Sequence, residues 1–377
     1  MRLAILGTRG IPAQYGGFET FAEKLAIGLR QRGVDVTVFC ESAAAPPPAQ
    51  LEGVRLRYVS APALGPLRTI LYDIRCLWAA RKGYDVVYML GYGAAPFCLI
   101  PRLWNTEMWI NPDGIEWARA KWGFVARTYF RLMEWSCLLT ANRIIADAAA
   151  IADSLASRHG RLAKCSCVPY GCEIVDLPPS TEPLRDWGLV KNGYYLVVCR
   201  LEPENHVLEM LRAFQQSRST RKLVVVGNHL AGTSYIDQIS QVRDPRIQMI
   251  GAVYDQVKLT ALRFHSFAYL HGHSVGGTNP SLLEAMGCGN LIFAHDNPFN
   301  RETLGACGFF FQDPRELALA MDRAEVEKSD LACLKQAAKL RARTDYNWPG
   351  ITARYLKLLQ EVAGNRSDDN LQFNELR

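Results

Sequence analysis

The sequence predicts an α/β protein built from two doubly wound, Rossmann-like domains. Short apolar runs alternate with segments of helical periodicity along most of its 377 residues, a length that suits two domains. The alternation begins twice, at residue 2 and at residue 193, with a proline-containing stretch before the second start. Each block also has a glycine-rich loop directly after an apolar run, and such loops suit phosphate binding at the start of a helix.

The first block, residues 1–172, is predicted to be a parallel sheet with alternating helices. Strands are expected at 2–6, 34–39, 54–59, 84–90, 106–110, 143–147 and 163–168, and helices at 18–32, 67–81 and 148–159. The first loop contains Gly7, Gly10, Gly16 and Gly17, whose spacing does not fit the G-x-G-x-x-G of a dinucleotide-binding domain. No strongly placed acid ends the second strand, so an NAD-dependent oxidoreductase is disfavoured.

The second block is predicted to follow a linker at 173–192 and to span residues 193–346. Its strands are expected at 193–200, 222–227, 246–251, 266–270 and 290–295, with helices after 206 and at 281–286, 313–327 and 331–344. A last helix, within residues 347–363, is expected to cross back to the first domain. Residues 364–377 are polar and are expected to form a frayed tail.

The stretch from His271 to Asn290 is the strongest candidate for a binding site. It follows an apolar strand, contains a glycine-rich loop and continues as a helix, whose N-terminus carries unpaired donors and partial positive charge. Pro280 fits the first helical turn and Asn279 can cap it. Glu284 lies about one turn into the helix, where a carboxylate can accept hydrogen bonds from two sugar hydroxyls. The alternative is an ordinary strand–loop–helix unit.

Two further positions follow predicted parallel strands, where open α/β sheets bind ligands. Arg200 ends the first strand of the second block, and its guanidinium can hold a diphosphate. Asp113 and Glu116 are the carboxylates of the loop after residue 110. The alternatives are a surface arginine and, for Asp113 with Gly114, a simple turn pair.

Composition narrows the choice of partners. The net charge is +6, and residues 1–172 carry 20 Lys/Arg against 13 Asp/Glu, so the positive excess lies in the first block. Residues 117–131 mix aromatic and basic side chains, which suits either a membrane headgroup layer or a packed helix with a solvated basic face. No recognition motif accompanies the charge, so nucleic acid is disfavoured. Neither a signal peptide nor a transmembrane run is visible, and a cytoplasmic location with reduced cysteines is expected.

Four strings resemble one family: residues 7–21, 111–117, 200–205 and 271–286. Together they look like a GT-B glycosyltransferase of the family-4 group of retaining nucleotide-sugar transferases. The resemblance is to the subgroup of bacterial polysaccharide rhamnosyltransferases, which take L-rhamnose from a dTDP donor. It implies two Rossmann-like domains facing an interdomain crevice, and it covers about residues 1–362.

The resemblance also implies roles by position. Glu284 matches the second glutamate of the family's Glu–seven residues–Glu motif, which holds the nucleotide's (deoxy)ribose, and Gly276 stands where the first glutamate is absent. Arg200 matches the diphosphate arginine, while Asn205 replaces the lysine that usually follows it. The implied catalytic set is Arg200, Asp113 and Glu284. The implied donor-binding set is Gly16, Gly17, Asn205, Tyr254, His273, Gly276, Gly277, Thr278, Asn279 and Glu284. The predicted membrane or acceptor set, which rests on the mixed aromatic and basic character of the first block, is Tyr15, Arg119, Lys121, Trp122, Arg127 and Arg131.

The resemblance implies a retaining transfer in which a donor phosphate oxygen takes the acceptor proton, so no protein base, metal or resident cofactor is expected. The partners are a nucleotide-sugar donor, a saccharide or lipid-linked acceptor and an anionic membrane surface, which places the protein peripherally on the inner face of the cytoplasmic membrane. Three alternatives stay open: a family-4 transferase using a UDP- or GDP-hexose, a nucleotide-sugar epimerase on the same fold, and a non-catalytic sugar-binding protein.

Overall fold

The computed structural model describes residues 1–13, 16–42, 48–62, 64–119, 122–228, 234–326 and 331–375. The chain divides into two compact units. Unit 1 comprises Met1–Trp117, Trp122–Tyr170 and Trp348–Arg377, and unit 2 comprises Ala118–Lys121 and Gly171–Asn347. Each unit is an α/β layer structure around its own, mostly parallel sheet.

The first 170 residues of unit 1 alternate strands and helices as the sequence predicts. The elements are β1 Arg2–Leu6, α1 Gly17–Arg30, β2 Asp35–Glu41, β3 Gln50–Leu51, β4 Val54–Val59, α2 Arg68–Ala79, β5 Val86–Leu90, α3 Leu99–Arg102, β6 Glu107–Asn111, α4 Phe124–Thr140, β7 Arg143–Ala146, α5 Ala149–His159 and β8 Cys165–Cys167. The short strand β3 is an addition to the predicted set.

The sheet of unit 1 has the strand order β3-β4-β2-β1-β5-β6-β7-β8, and every pair is parallel except β3 with β4. All five residues of β5 are buried, because a central parallel strand is covered by helices on both faces. The chain leaves β1 toward β2 on one side and returns to β5 on the other. The switch point of this sheet therefore lies between β1 and β5.

Unit 2 contains the second α/β block. Its elements are β9 Tyr194–Val198, α6 Val207–Gln216, β10 Lys222–Val226, α7 Ser234–Gln241, β11 Ile247–Gly251, α8 Gln256–His265, β12 Ala268–His271, α9 Pro280–Gly287, β13 Leu291–His295, α10 Pro298–Leu304, β14 Phe309–Phe311, α11 Pro314–Val326 and α12 Leu331–Asp345. The sheet is wholly parallel, with the order β11-β10-β9-β12-β13-β14. Its switch point lies between β9 and β12.

The core of unit 2 forms between this sheet and its helices. Tyr195 of β9 and Phe293 of β13 are fully buried, and Phe214 of α6 packs edge-on against Tyr195. On α6 the apolar residues recur at helical spacing, so one face of the helix is buried and the other is exposed.

The chain returns to unit 1 with α13, Trp348–Glu375. Ile351, Tyr355, Leu359 and Val362 are buried at spacings of three and four residues, which forms one apolar stripe. The Tyr355 hydroxyl lies 2.9 Å from the hydroxyl of Tyr88 on β5. This helix thus packs directly beneath the central strands of unit 1.

Two segments differ from the sequence expectation. The predicted linker at 173–192 belongs to unit 2, because Leu184 is buried and the carbonyl of Pro179 lies 2.8 Å from His265 Nε2. The predicted frayed tail at 364–377 continues α13 as far as Glu375. An established helix gains one backbone hydrogen bond for each residue that it adds, even where the residues are polar.

The cysteines agree with the expected reduced state. All eleven are free thiols, and no two of them form a disulfide. The six buried ones are Cys40, Cys76, Cys98, Cys137, Cys172 and Cys288. Burial raises the pKa of Cys76 to about 12, so its thiol stays protonated and packs as a small apolar group.

Candidate functional site

The candidate site of unit 2 lies at the switch point of its sheet. Arg200 follows β9, and a loop of residues 272–279, here called the glycine loop, follows β12. Because β9 and β12 are adjacent and parallel, their carboxyl ends open at the same edge of the sheet. The structure therefore brings together two features that are some 70 positions apart in the sequence.

The glycine loop is fixed in place by hydrogen bonds from both sides. The Glu204 carbonyl accepts from the Ser274 backbone N–H at 2.9 Å and from the Ser274 hydroxyl at 3.0 Å. The His273 carbonyl accepts from the side-chain amides of Asn297 at 2.9 Å and Asn300 at 2.8 Å. These hydrogen bonds hold the backbone of the loop in a fixed geometry, which suits an anion.

Two glycines of the loop are required by its geometry. A Cβ on Gly272 would lie 2.1 Å from the Asn205 carbonyl oxygen, so only glycine fits there. Gly276 has a φ of +134°, a conformation that L side chains rarely adopt, although the space beside it is open. The position at which the resembling family carries its first glutamate therefore has a backbone suited to glycine in this chain.

The start of α9 has the cap that the sequence predicts. Asn279 Oδ1 accepts a hydrogen bond from the Ser281 backbone N–H at 2.9 Å, and Pro280 occupies the first turn. The Ser281 hydroxyl lies 2.8 Å from the Tyr269 hydroxyl of β12 and donates to the Val198 carbonyl of β9 at 3.0 Å. These bonds hold the helix N-terminus against both strands of the switch point.

Glu284 has a partner that sequence reasoning missed. Its Oε2 lies 2.5 Å from Nη2 of Arg263 on α8, and the side chains of Arg263 and Glu284 are 4% and 31% exposed. Arginines usually extend toward water, so nothing in the local pattern of α8 indicated a buried one. One oxygen of the carboxylate is therefore held from within the protein.

Arg200 and Asn205 take different parts. The Arg200 side chain is 60% exposed and lies 3.3 Å from Glu202, so it is available to a ligand. Asn205 is buried, and its side-chain amide donates to the Arg200 carbonyl at 2.7 Å. The Asn205 side chain thus stabilises the turn that carries Arg200.

The glycine loop lies in a positive electrostatic field. Burial, together with the nearby charges of Arg200 and Arg119, lowers the pKa of His273 to about 3. His271 is buried, and burial holds its pKa well below the usual range. Both imidazoles are therefore neutral at pH 7, and the field on the loop comes from the guanidinium groups. An anionic ligand suits this environment.

Two of the predicted donor contacts lie at the edges of this arrangement. Thr278 is buried beside the helix N-terminus. Tyr254 follows β11 and is 61% exposed. Because β11 is two places from β9 in the sheet, Tyr254 begins about 10 Å to the side of Arg200.

In unit 1 the first glycine-rich loop follows β1, next to the switch point. Two carboxylates of α1 hold it: Glu19 accepts from the Arg9 backbone N–H at 3.0 Å, and Glu23 accepts from that of Ala13 at 2.6 Å. Gly16 precedes α1 as its N-terminal cap, and Gly17 is its first residue. Tyr15, predicted to contact the membrane or the acceptor, lies outside the described residues.

Asp113 occupies a tight turn after β6. It has a positive φ of 49°, and its backbone N–H donates to Asn111 Oδ1 at 2.8 Å. The buried Asn111 amide donates to the hydroxyls of Tyr88 and Tyr170, both at 3.4 Å. Asp113 can therefore be both a turn residue and a ligand contact, because a network of buried hydrogen bonds holds the turn in place.

The predicted membrane or acceptor set is divided by the structure. Trp122 donates from its indole to Glu116 at 3.0 Å and packs on Phe130, so it is half-buried. Arg119 belongs to unit 2, where its charge acts on His273. Arg127 and Arg131 are exposed on α4. Lys121 lies outside the described residues.

Beside these arginines is an apolar surface that sequence reasoning missed. The outer face of α4 is defined by five exposed side chains: Phe124, Val125, Leu132, Trp135 and Leu139. Leu132, Trp135 and Leu139 follow Phe124 by eight, eleven and fifteen residues, so the four side chains lie on one side of the helix. The one acid of α4, Glu134, is buried on the opposite side, where it contacts Arg158 and His159. Among the described residues, no helix has the length and apolar composition needed to span a membrane.

Two family models match separate parts of the chain. Residues 1–173 match a domain of unknown function, DUF1972. Residues 185–344 match glycosyl transferases group 1. No curated protein matches the sequence.

Solved structures match nearly the whole chain. Sucrose-phosphate synthase from Thermosynechococcus elongatus is 16% identical with a TM-score of 0.82, and the match covers 97% of this chain and 99% of that one. Anabaena HepE in complex with UDP and glucose is 18% identical with a TM-score of 0.76, covering 96% and 100%. An α,α-trehalose-phosphate synthase (UDP-forming) from Burkholderia xenovorans is 13% identical with a TM-score of 0.73, covering 96% and 100%. These likenesses show the two-domain α/β GT-B fold and confirm the predicted fold class.

Proposed function

We propose that this chain is a retaining, metal-independent glycosyltransferase that moves L-rhamnose from dTDP-L-rhamnose to a lipid-linked saccharide in bacterial surface polysaccharide synthesis. The group 1 match at 185–344 and the GT-B fold support the coarser statement, a glycosyltransferase with a sugar-nucleotide donor. One observation carries the site: Arg200 and the glycine loop lie on the two strands that flank the switch point of unit 2, with Glu284 on the helix that follows.

The proposed chemistry requires a protein that stabilises a leaving diphosphate. The exposed Arg200 guanidinium contacts the diphosphate, and the N–H groups of residues 276–279 with the start of α9 face the same charge. Each interaction strengthens as the bond to the sugar breaks, so the transition state gains more than the bound donor. The acceptor hydroxyl then attacks the face that the diphosphate leaves, and a donor phosphate oxygen takes its proton.

The other predicted residues support this assignment in different ways. Glu284 is the proposed acceptor of hydrogen bonds from the nucleotide's sugar, and the exposed Tyr254 is the proposed contact of the base. Asn205 and Asn279 act through the backbone that they hold, because both side chains are engaged within the protein. In unit 1, Gly16, Gly17 and Asp113 are proposed contacts of the donor sugar or the acceptor.

A second donor class has an observation in its favour. HepE, a structural neighbour, is described in complex with UDP and glucose. A transferase that uses a UDP- or GDP-hexose would use the same Arg200 and glycine loop. The two proposals differ only in base and sugar, so a donor panel separates them.

The test is turnover of dTDP-, UDP- and GDP-sugars by the full chain, with and without a saccharide acceptor. We expect acceptor-dependent release of dTDP from dTDP-L-rhamnose. Arg200→Ala should lower kcat/KM by about 100-fold, the scale for removing one preorganised transition-state contact. Arg212→Ala, an exposed arginine on α6, is the matched control and should keep full activity.

The outcomes distinguish the alternatives. Turnover of a UDP- or GDP-hexose alone would replace the rhamnose assignment with the second donor class. Conversion of the donor without any acceptor indicates an epimerase. Binding of a nucleotide sugar with no turnover of any donor indicates a non-catalytic binding protein, and in that case Arg200→Ala changes affinity only.

The proposed lipid-linked acceptor requires contact with the membrane, and the outer face of α4 supports it. Phe124 and Trp135 are 85% and 50% exposed, and Arg127 and Arg131 lie on the same helix. Apolar side chains that enter the headgroup layer beside arginines bind anionic bilayers. This surface supports the proposal that the protein binds peripherally to the inner face of the cytoplasmic membrane.

Liposome flotation tests the membrane proposal. The wild-type chain should float with vesicles containing anionic lipid, and Phe124→Ser with Trp135→Ser should abolish flotation without affecting thermal unfolding. Leu319→Ser, which removes a similarly exposed apolar side chain from α11, is the matched control and should still float. Equal flotation of wild type and the α4 variant, or none for either, contradicts the proposal.

A further inference from the structure

We propose that Arg263 is a positioning residue that makes the Glu284 site select a 2′-deoxyribose over a ribose. The inference rests on the proposed nucleotide site and names the property that the Arg263–Glu284 pair gives it. Arg263 Nη2 lies 2.5 Å from Glu284 Oε2 and 3.4 Å from the Ser281 hydroxyl. The guanidinium therefore approaches one carboxylate oxygen from inside unit 2.

Arg263 is held so that it does not release this oxygen. Its backbone carbonyl, in the last turn of α8, accepts from the side-chain amide of Asn290 at 2.7 Å and from the Ser266 hydroxyl at 2.8 Å. Its side chain is 4% exposed, and Glu284 is its one ion-pair partner among the described residues. Separating the pair would leave a buried, uncompensated charge, which is strongly unfavourable.

The opposite side of the carboxylate is open. The Glu284 side chain is 31% exposed, and its Oε1 accepts no hydrogen bond within the part of the chain that the structure describes. The carboxylate thus has one oxygen committed to the protein and one available to a ligand. The ion pair with the buried Arg263 also restricts the rotamers that Glu284 can adopt, and this fixes the direction of Oε1.

A ribose and a deoxyribose make different demands on such a carboxylate. Ribose has adjacent 2′- and 3′-hydroxyls, and a carboxylate binds both most strongly when each hydroxyl donates a hydrogen bond to a different carboxylate oxygen. Deoxyribose has only the 3′-hydroxyl, which one free oxygen satisfies. With one acceptor position of Oε2 taken by Arg263, the 2′-hydroxyl of a ribonucleotide must share this oxygen with a guanidinium, and the hydrogen bond that it gains compensates less fully for its lost solvation.

The matched probes are dUDP and UDP, which differ only at the 2′ position, titrated into the full chain by calorimetry. Wild type should bind dUDP as tightly as UDP or more tightly. Arg263→Met frees Oε2 and leaves a half-exposed carboxylate, so UDP should gain about 3- to 10-fold relative to dUDP, the scale of one hydrogen bond. Arg263→Lys keeps a cation at this position and should keep the wild-type ratio.

The ratio separates positioning from a merely structural role, because a general loosening of the site weakens both nucleotides equally. A folded Arg263→Met protein with an unchanged ratio overturns the inference, and so does a wild type that prefers UDP by about threefold or more. If Arg263→Met does not fold, a loss of the wild-type ratio in Arg263→Lys overturns it instead. If wild type binds neither dUDP, UDP nor dTDP, the proposed function itself fails, which is a different result from an unchanged ratio.

Discussion

Replacing Glu284 by alanine should destabilise unit 2, whatever its effect on activity. The change leaves Arg263, with a side chain 4% exposed, as a buried charge without its partner. Removing one member of a buried ion pair costs about 3–5 kcal/mol. Glu284 is itself 31% exposed, so water reaches the vacated space and the lower end, about 3 kcal/mol, is expected. The double variant Glu284→Ala/Arg263→Met removes both charges and should recover to within about 1 kcal/mol of wild type.

Urea denaturation, monitored by hydrogen exchange of peptides from α8 and α9, measures the loss of stability within unit 2. A local probe is needed because the two units need not unfold together. The coupling energy follows from the four proteins of the double-mutant cycle. Additive losses of stability in the double variant would contradict this expectation, because they would mean that the buried Arg263 does not depend on Glu284. An activity loss in Glu284→Ala is therefore interpretable only beside this measurement. Glu284→Gln, which keeps an acceptor for Arg263, is the better variant for kinetics.

Three further outcomes are expected. Burial raises the pKa of Asp73 to about 8, so the folded state holds a proton that the unfolded state releases above about pH 4. The free energy of unfolding should therefore fall by up to about 1.4 kcal/mol for each pH unit between pH 4 and 8. Urea titrations of Asp73→Asn should no longer show this slope. Burial holds the pKa of His271 well below 6.5, so below that pH the unfolded state binds a proton that the folded state does not, and stability should fall on acidification. In thermal unfolding between pH 5 and 7, His271→Leu should show a smaller fall of Tm than wild type. Gly276→Glu should lower the free energy of unfolding by about 1–3 kcal/mol, because φ at this position is +134°, and should not allow turnover of any further donor. Gly276→Ala should lower the stability by the same amount. A stable Gly276→Glu protein that gains activity on a hexose donor would contradict this.

Much of the fold was predictable because its patterns are local. The alternation of apolar runs with helical periodicity located β5, β9 and β12 to within two residues, and the Asn279 cap follows from residue type and position alone. The glycine loop was recognisable because its composition differs from that of ordinary connections. The extension of α13 to Glu375 is not predictable from composition, because a polar segment can either fray or continue a helix that is already formed.

The contacts that complete the candidate site depend on tertiary structure. Arg263 meets Glu284 only because α8 and α9 pack on the same sheet, and 21 positions separate them in the sequence. The carboxylates of Glu19 and Glu23 hold the loop after β1, a contact that residue type and helical position alone do not predict. The outward position of Trp135 was equally hidden, because the periodicity of α4 shows an apolar face without showing which side of the helix is covered.

The central claim is sugar transfer from a deoxynucleotide donor, and its most direct test is the product formed from dTDP-L-rhamnose and a lipid-linked saccharide. Proton NMR of the purified product identifies the new linkage, and release of dTDP measures the stoichiometry. We expect one rhamnose to be transferred for each dTDP released, with the donor's anomeric configuration retained in the product. Three results would contradict this expectation. They are release of dTDP without the acceptor, a product with an inverted linkage, and transfer from a UDP-hexose while dTDP-L-rhamnose gives none.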